Sequence, residues 1–102
     1  MDLEQDKWLN GLEHDSDALI LDVRTAEEFE TFRIPKSINI DFYNPEIFMY
    51  EIGKLDKDKS YYIYCRTGVR SANSCHLMKE LGFINTYNLI GGIVEWNGET
   101  IN

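Results

Sequence analysis

The sequence is short of cysteine, proline and positive charge, and it has no long apolar run. Cys65 and Cys75 are its only cysteines, too few for a disulfide scaffold and suited to a reducing compartment. Pro35 and Pro45 are its only prolines, and no linker, low-complexity tract or fixed-period repeat breaks the chain. That excludes a solenoid or a string of small modules, and 102 residues leave room for a single domain over 1–102. No stretch approaches the roughly 20 apolar residues of a membrane span. Met1 leads into Asp2-Leu3-Glu4 without a basic or apolar signal region, so the expected location is cytoplasmic. Lys and Arg number 10 against 18 Asp and Glu, a formal charge of −8. Such a surface repels phosphate backbones and anionic lipid, so neither nucleic acid nor membrane is an expected partner.

What is present is an ordinary globular composition, 43% hydrophobic and 13% aromatic, with apolar runs and amphipathic stretches in alternation. Leu3, Trp8, Leu9 and Leu12 share a face and predict a helix over 2–12. The unbroken run Ala18-Leu19-Ile20-Leu21 reads as a strand buried on both faces, ending in the polar Asp22-Val23-Arg24. Thr25 with Glu28 is a capping-box pair for a short helix. A second strand is expected over 37–40. Asn44-Pro45 supplies an N-cap and a first-turn proline for a helix to about residue 53. Tyr61-Tyr62-Ile63-Tyr64 is the clearest strand, followed by a helix over 70–81 that Gly82 terminates. A strand over 86–89, the turn Gly91-Gly92 and a short helix over 93–96 complete the pattern. The expected fold class is α/β, a central parallel β-sheet of four to five strands flanked by helices on both faces. Sites in such sheets lie outside the carboxyl ends of the strands.

The segment Tyr64-Cys65-Arg66-Thr67-Gly68-Val69-Arg70-Ser71 carries the chemistry. A buried strand runs into a cysteine, four residues intervene, and an arginine opens a helix. Gly68 permits backbone angles that a Cβ resists, so the loop can turn successive N–H groups inward as an anion nest behind which a helix dipole points. Helix N-termini and cationic neighbours favour thiolate, the nucleophilic form. An isolated cysteine at a strand end is usually a small buried hydrophobe; the glycine, Arg66, Arg70 and the following helix reverse that expectation for Cys65. Arg70 could hold a donor's oxyanion or pair with a carboxylate such as Asp22. Asp22 and Arg24 read as polar groups supporting the site. Cys75 shares a helical stripe with Ala72 and Met78 and reads as core. His14 and His76 read as surface residues, since no metal-ligand spacing links them to the cysteines. Trp8 and Trp96 read as packing anchors, and Gly91-Gly92 as a tight turn first and a pocket wall second.

From Ala18 to Trp96 the chain resembles the single-domain rhodanese family. The resemblance is carried by Leu21-Asp22-Val23-Arg24, Glu27-Glu28-Phe29, Ile34-Pro35, Ile38-Asn39, Cys65 to Ala72, Leu81-Gly82-Phe83, Tyr87-Asn88-Leu89, Gly91-Gly92 and Trp96 in order. It implies transfer of sulfane sulfur from a thiosulfate-like donor to a thiophilic acceptor, cyanide or a thiol, a protein acceptor included, with Cys65 bearing the persulfide. It also implies that Arg66, Thr67, Gly68, Val69 and Arg70 form the binding loop, that Arg66 favours thiosulfate over mercaptopyruvate, and that no metal or organic cofactor is needed. Three positions depart from the family pattern. Phe32-Arg33-Ile34-Pro35-Lys36-Ser37 lacks the usual histidine, Asp41 replaces a proline, and the chain begins at the expected first helix, which leaves the presence of the family's short opening strand open. A cysteine-dependent phosphatase needs five residues between cysteine and arginine, so the loop here is one residue too short. A non-catalytic interaction module and a thiol redox sensor are the remaining alternatives.

Overall fold

The alternation of runs resolves, in the computed structural model of residues 1–102, into one sheet with helices on both sides. The elements in chain order are β1 (Asp2–Leu3), α1 (Gln5–Glu13), β2 (Leu19–Asp22), α2 (Ala26–Thr31), β3 (Ser37–Asn39), α3 (Pro45–Gly53), β4 (Ser60–Tyr64), α4 (Val69–Glu80) and β5 (Asn85–Leu89), then a 3-10 turn, Ile93–Glu95. The five strands lie in the order β1-β5-β4-β2-β3, and every pairing is parallel. Each strand returns through a helix, as parallel pairing requires.

Local chemistry explains most boundaries. Thr25 and Glu28 form the reciprocal capping box that starts α2, and Pro45 opens α3. At the end of α4, Gly82 takes φ +99°, where a side chain would be strained. Two expectations fail. The first helix does not start at residue 2, because the opening strand left open by the sequence is present. Asp2 and Leu3 pair with Asn88 and Leu89 of β5, so α1 begins at Gln5 instead of residue 2. Asn44 precedes α3, but its side chain makes no capping bond; the Asp41 carboxylate instead accepts the Tyr43 N–H at 2.8 Å.

Period-two alternation along the strands divides the core in two. Leu21, Val23, Tyr61, Ile63 and Cys65 face Phe48 and Ile52 of α3 and Cys75 and Met78 of α4. Ile20, Tyr62, Tyr64 and Leu89 face the other way, toward Trp8, Ile34 and Ile93. Trp8 is fully buried and meets Tyr62, Tyr64 and Trp96 edge to face, which bears out both tryptophans as anchors. Full burial of one such side chain stabilises the fold by roughly 1.5–3 kcal/mol. The chain steps from the β3 edge across to β4, so the sheet's switch point lies between β2 and β4. Val23 and Cys65, the residues just past those strands, leave there side by side, with the Val23 N–H bonded to the Tyr64 carbonyl at 3.0 Å. No helix is long and apolar enough to cross a membrane.

Candidate active site

Cys65 follows the last residue of the central strand β4, and the alternation of that strand sends its side chain beneath the start of α4. The residue is only 1% exposed and packs into the apolar core on one side, yet polar donors reach its sulfur from the loop. Its Sγ accepts the Gly68 N–H at 3.1 Å and the Ser71 N–H at 3.4 Å. The Ser71 Oγ lies 3.3 Å away on the same sulfur. Gly68 makes this possible with φ +103°, a left-handed turn that aims its amide back at the sulfur. Cys75 gives the contrast within the same molecule. Burial in the core pushes its thiol up to about 11, as expected for the structural cysteine of the sequence reading. Both cysteines are unpaired.

The loop is held from three sides. From one side, Arg70 is bound by Glu28 through two parallel contacts of 2.7 and 3.0 Å, and its guanidinium lies over the Tyr43 ring at 4.8 Å. The hydrogen bonds from Arg70 hold the Glu28 carboxyl down to about 2, against partial burial, with help from the Thr25 amide. Glu28 therefore does two jobs, since the same Oε1 caps α2 by accepting the Thr25 N–H at 3.1 Å. Asp22 is not the partner of Arg70. It is engaged by Arg24, whose Nη2 donates to it at 2.6 Å and to the Phe32 carbonyl at 2.7 Å. Both residues of that pair are buried.

From a second side, Gly92 packs against the loop backbone so closely that a Cβ would overlap the Arg66 and Cys65 carbonyls. Those carbonyls accept the Val94 and Ile93 N–H groups at 3.1 and 3.0 Å. Gly91-Gly92 is thus a wall of the loop as much as a turn. On the third side is Asn88, buried, whose Oδ1 accepts the Ser71 hydroxyl at 2.5 Å. Its Nδ2 donates to the Gly68 carbonyl at 3.3 Å and to Asp2 Oδ1 at 3.0 Å.

Of the residues expected in the binding loop, Arg66 and Thr67 are exposed, as is Val69. Arg66 borders a hollow of about 170 Å³ with Arg24, Phe32 and Val94, the space nearest to the loop in which an anion could meet free positive charge. Arg70 is not free to do so, because Glu28 already neutralises it. Ser71, Asn88, Asp2 and the second role of Glu28 were missed by sequence reasoning. Glu28, Ser71 and Asn88 stood in the family pattern without these roles, and Asp2 lay outside it.

A parallel α/β sheet with a cysteine loop at its switch point, the sulfur cradled by amides and a hydroxyl, defines a class of covalent sulfur or thiol chemistry. The comparisons agree. The description "Rhodanese-like domain" matches residues 5–99. A Bacillus subtilis protein named "Putative sulfurtransferase YtwF" is 40% identical over 90 residues, covering 87% of this chain and 82% of that one. A protein of Allochromatium vinosum named "Sulfurtransferase" is 32% identical over 95 residues, 93% and 86% of the two chains. The crystal structure of a rhodanese-like domain protein from Staphylococcus aureus superposes with a TM-score of 0.80 at 31% identity, covering 96% and 92%. The chain belongs to the rhodanese-like family, and its homologues support a sulfurtransferase of the rhodanese type.

Proposed function

We propose that this protein carries sulfane sulfur as a persulfide on Cys65, taking it from a thiosulfate-like donor and giving it to a thiol or, in the test tube, cyanide. The observation that carries the reading is the convergence of the Gly68 and Ser71 amides on one sulfur atom. Donors fixed before the reaction stabilise anionic sulfur without reorganising at the moment of transfer. In the first half-reaction the Cys65 thiolate attacks the outer sulfur of thiosulfate. The Sγ–S bond forms as the S–S bond of the donor breaks, and its electron pair leaves with sulfite. The negative charge moves to the outer persulfide sulfur, and the reading assigns the amides of the 66–70 loop to hold it there. In the second, an acceptor thiolate or cyanide takes that sulfur and Cys65 departs as thiolate.

Arg66 is the residue assigned to capture the sulfonate end of the donor, being the exposed cation beside the loop. Thr67, Gly68 and Val69 contribute backbone, and Arg70 holds the loop's shape through Glu28. Asp22 and Arg24 support the wall opposite Arg66. The reading takes the whole chain as one domain acting in a reducing, cytoplasmic setting. Protein thiols are admitted as acceptors.

The test is direct. Incubation with thiosulfate followed by intact-mass measurement should show one added sulfur on the wild type and none on Cys65→Ser, with thiocyanate appearing when cyanide is added. No added mass and no thiocyanate would leave the interaction module standing, and sulfenic acid or disulfide alone would favour the redox sensor.

A further inference from the structure

The Asn88 amide has only one workable orientation. Two acceptors, the Asp2 carboxylate and the Gly68 carbonyl, face one end of it, so that end must be the NH2 group. The other end is then an oxygen, and it faces Ser71. A serine hydroxyl has a single hydrogen. In this structure that hydrogen is claimed by two acceptors, Asn88 Oδ1 and Cys65 Sγ. Asp2 stands beside Asn88 because the two are register partners in the β1–β5 pair. A chain of side chains thus runs from an exposed carboxylate on an edge strand to the buried sulfur.

We infer that Asp2, acting through Asn88, is a positioning residue that holds the Ser71 hydrogen away from Cys65 and so favours the sulfur-loaded form of the protein. The inference rests on Cys65 as the sulfur carrier. In the empty form with an anionic thiolate, Sγ competes for the Ser71 hydrogen, and a fixed Asn88 oxygen draws it off. In the loaded form Sγ is a neutral disulfide-like atom, the charge sits one atom further out, and the competition disappears. Asp2 therefore destabilises the empty state relative to the loaded one. Without the carboxylate, the amide can turn, present its NH2 to Ser71 Oγ and free the hydroxyl hydrogen for the sulfur.

The experiment is an equilibrium partition. Wild type and variants are equilibrated at one fixed thiosulfate-to-sulfite ratio and one fixed alkaline pH, and the loaded-to-empty ratio is read by intact mass. Asp2→Ala should lower that ratio about three- to tenfold, the range expected for one net hydrogen bond. Asp2→Asn keeps an acceptor oxygen and should recover most of the loss. Thermal unfolding accompanies each variant. If Asp2→Ala frays the edge strand, Asp2→Thr, which suits a strand but lacks the carboxylate's reach, repeats the measurement. A ratio in the folded variants equal to that of wild type overturns the inference and leaves the proposed function intact. A wild type that takes up no sulfur overturns both. A damaged but merely structural contact would lower the unfolding midpoint without moving the partition, and Asp2→Asn would not rescue selectively.

Discussion

Cys65 and Cys75 show how much a single position decides. Both are buried, both lie on the same side of the sheet, and only one is met by converging polar donors. The sequence separated them correctly, because a strand end before a glycine loop and a helical stripe are different local patterns. It could not reveal Ser71 as a partner of the sulfur or Asn88 as a partner of Ser71, since a serine one turn into a helix and an asparagine in a strand have many uses. The raised Cys75 thiol has a consequence for stability. Its folded value of about 11 lies above the ordinary 9, so the fold prefers the neutral form. That contribution is fully present below about pH 9 and is lost as pH rises through 11, at most about 3 kcal/mol. Burial also raises Tyr61, Tyr62 and Tyr64, so the wild type should weaken steadily over that window. Cys75→Ala should weaken less steeply. Urea unfolding at successive pH values compares the slopes, and equal slopes would dismiss the assignment.

Among elements, the helices and central strands were legible because each carries its own periodicity or cap. The opening strand was not. Two residues give no period to read, and the apolar spacing of Leu3 with Trp8 and Leu12 suggested helix instead. Only pairing with β5, the last strand in the chain, makes Asp2 and Leu3 extended. The tie between α2 and α4 was hidden for a similar reason, since Glu28 and Arg70 are 42 positions apart. That tie is worth testing. The Glu28 carboxyl sits near 2 in the fold against an ordinary 4.5, so its contribution is complete above about pH 4.5 and vanishes as pH falls through 2. Glu28→Gln should cost about 1–2 kcal/mol at neutral pH, within the range for charged hydrogen bonds. The gap between variant and wild type should close toward pH 2. Denaturant midpoints at pH 7, 4 and 2.5 would reveal it, and a gap unchanged with pH would count against the ion pair.

For the whole molecule, the alternation of strand and helix patterns predicted the fold class and the absence of a long apolar run the lack of a spanning helix, while the field around the site depends on where charges fall. The net charge of −8 opposes the approach of a dianion such as thiosulfate, with exposed Arg66 the local exception. Salt screens such repulsion over about 8–10 Å near physiological strength. Raising ionic strength from about 10 to about 200 mM should therefore increase kcat/KM for thiosulfate roughly two- to fivefold. Arg66→Ala should lower the rate throughout and steepen its rise with salt. Steady-state thiocyanate formation measures both, and a rate that falls with salt would mean local attraction outweighs the global field. The sheet's outline has an effect of its own. Its two margins are strands of two and three residues, Asp2–Leu3 and Ser37–Asn39, each too short to offer a row of open backbone donors and acceptors. A parallel sheet so abruptly truncated is a poor template for a neighbour's strand, which should let the protein stay dispersed at high concentration.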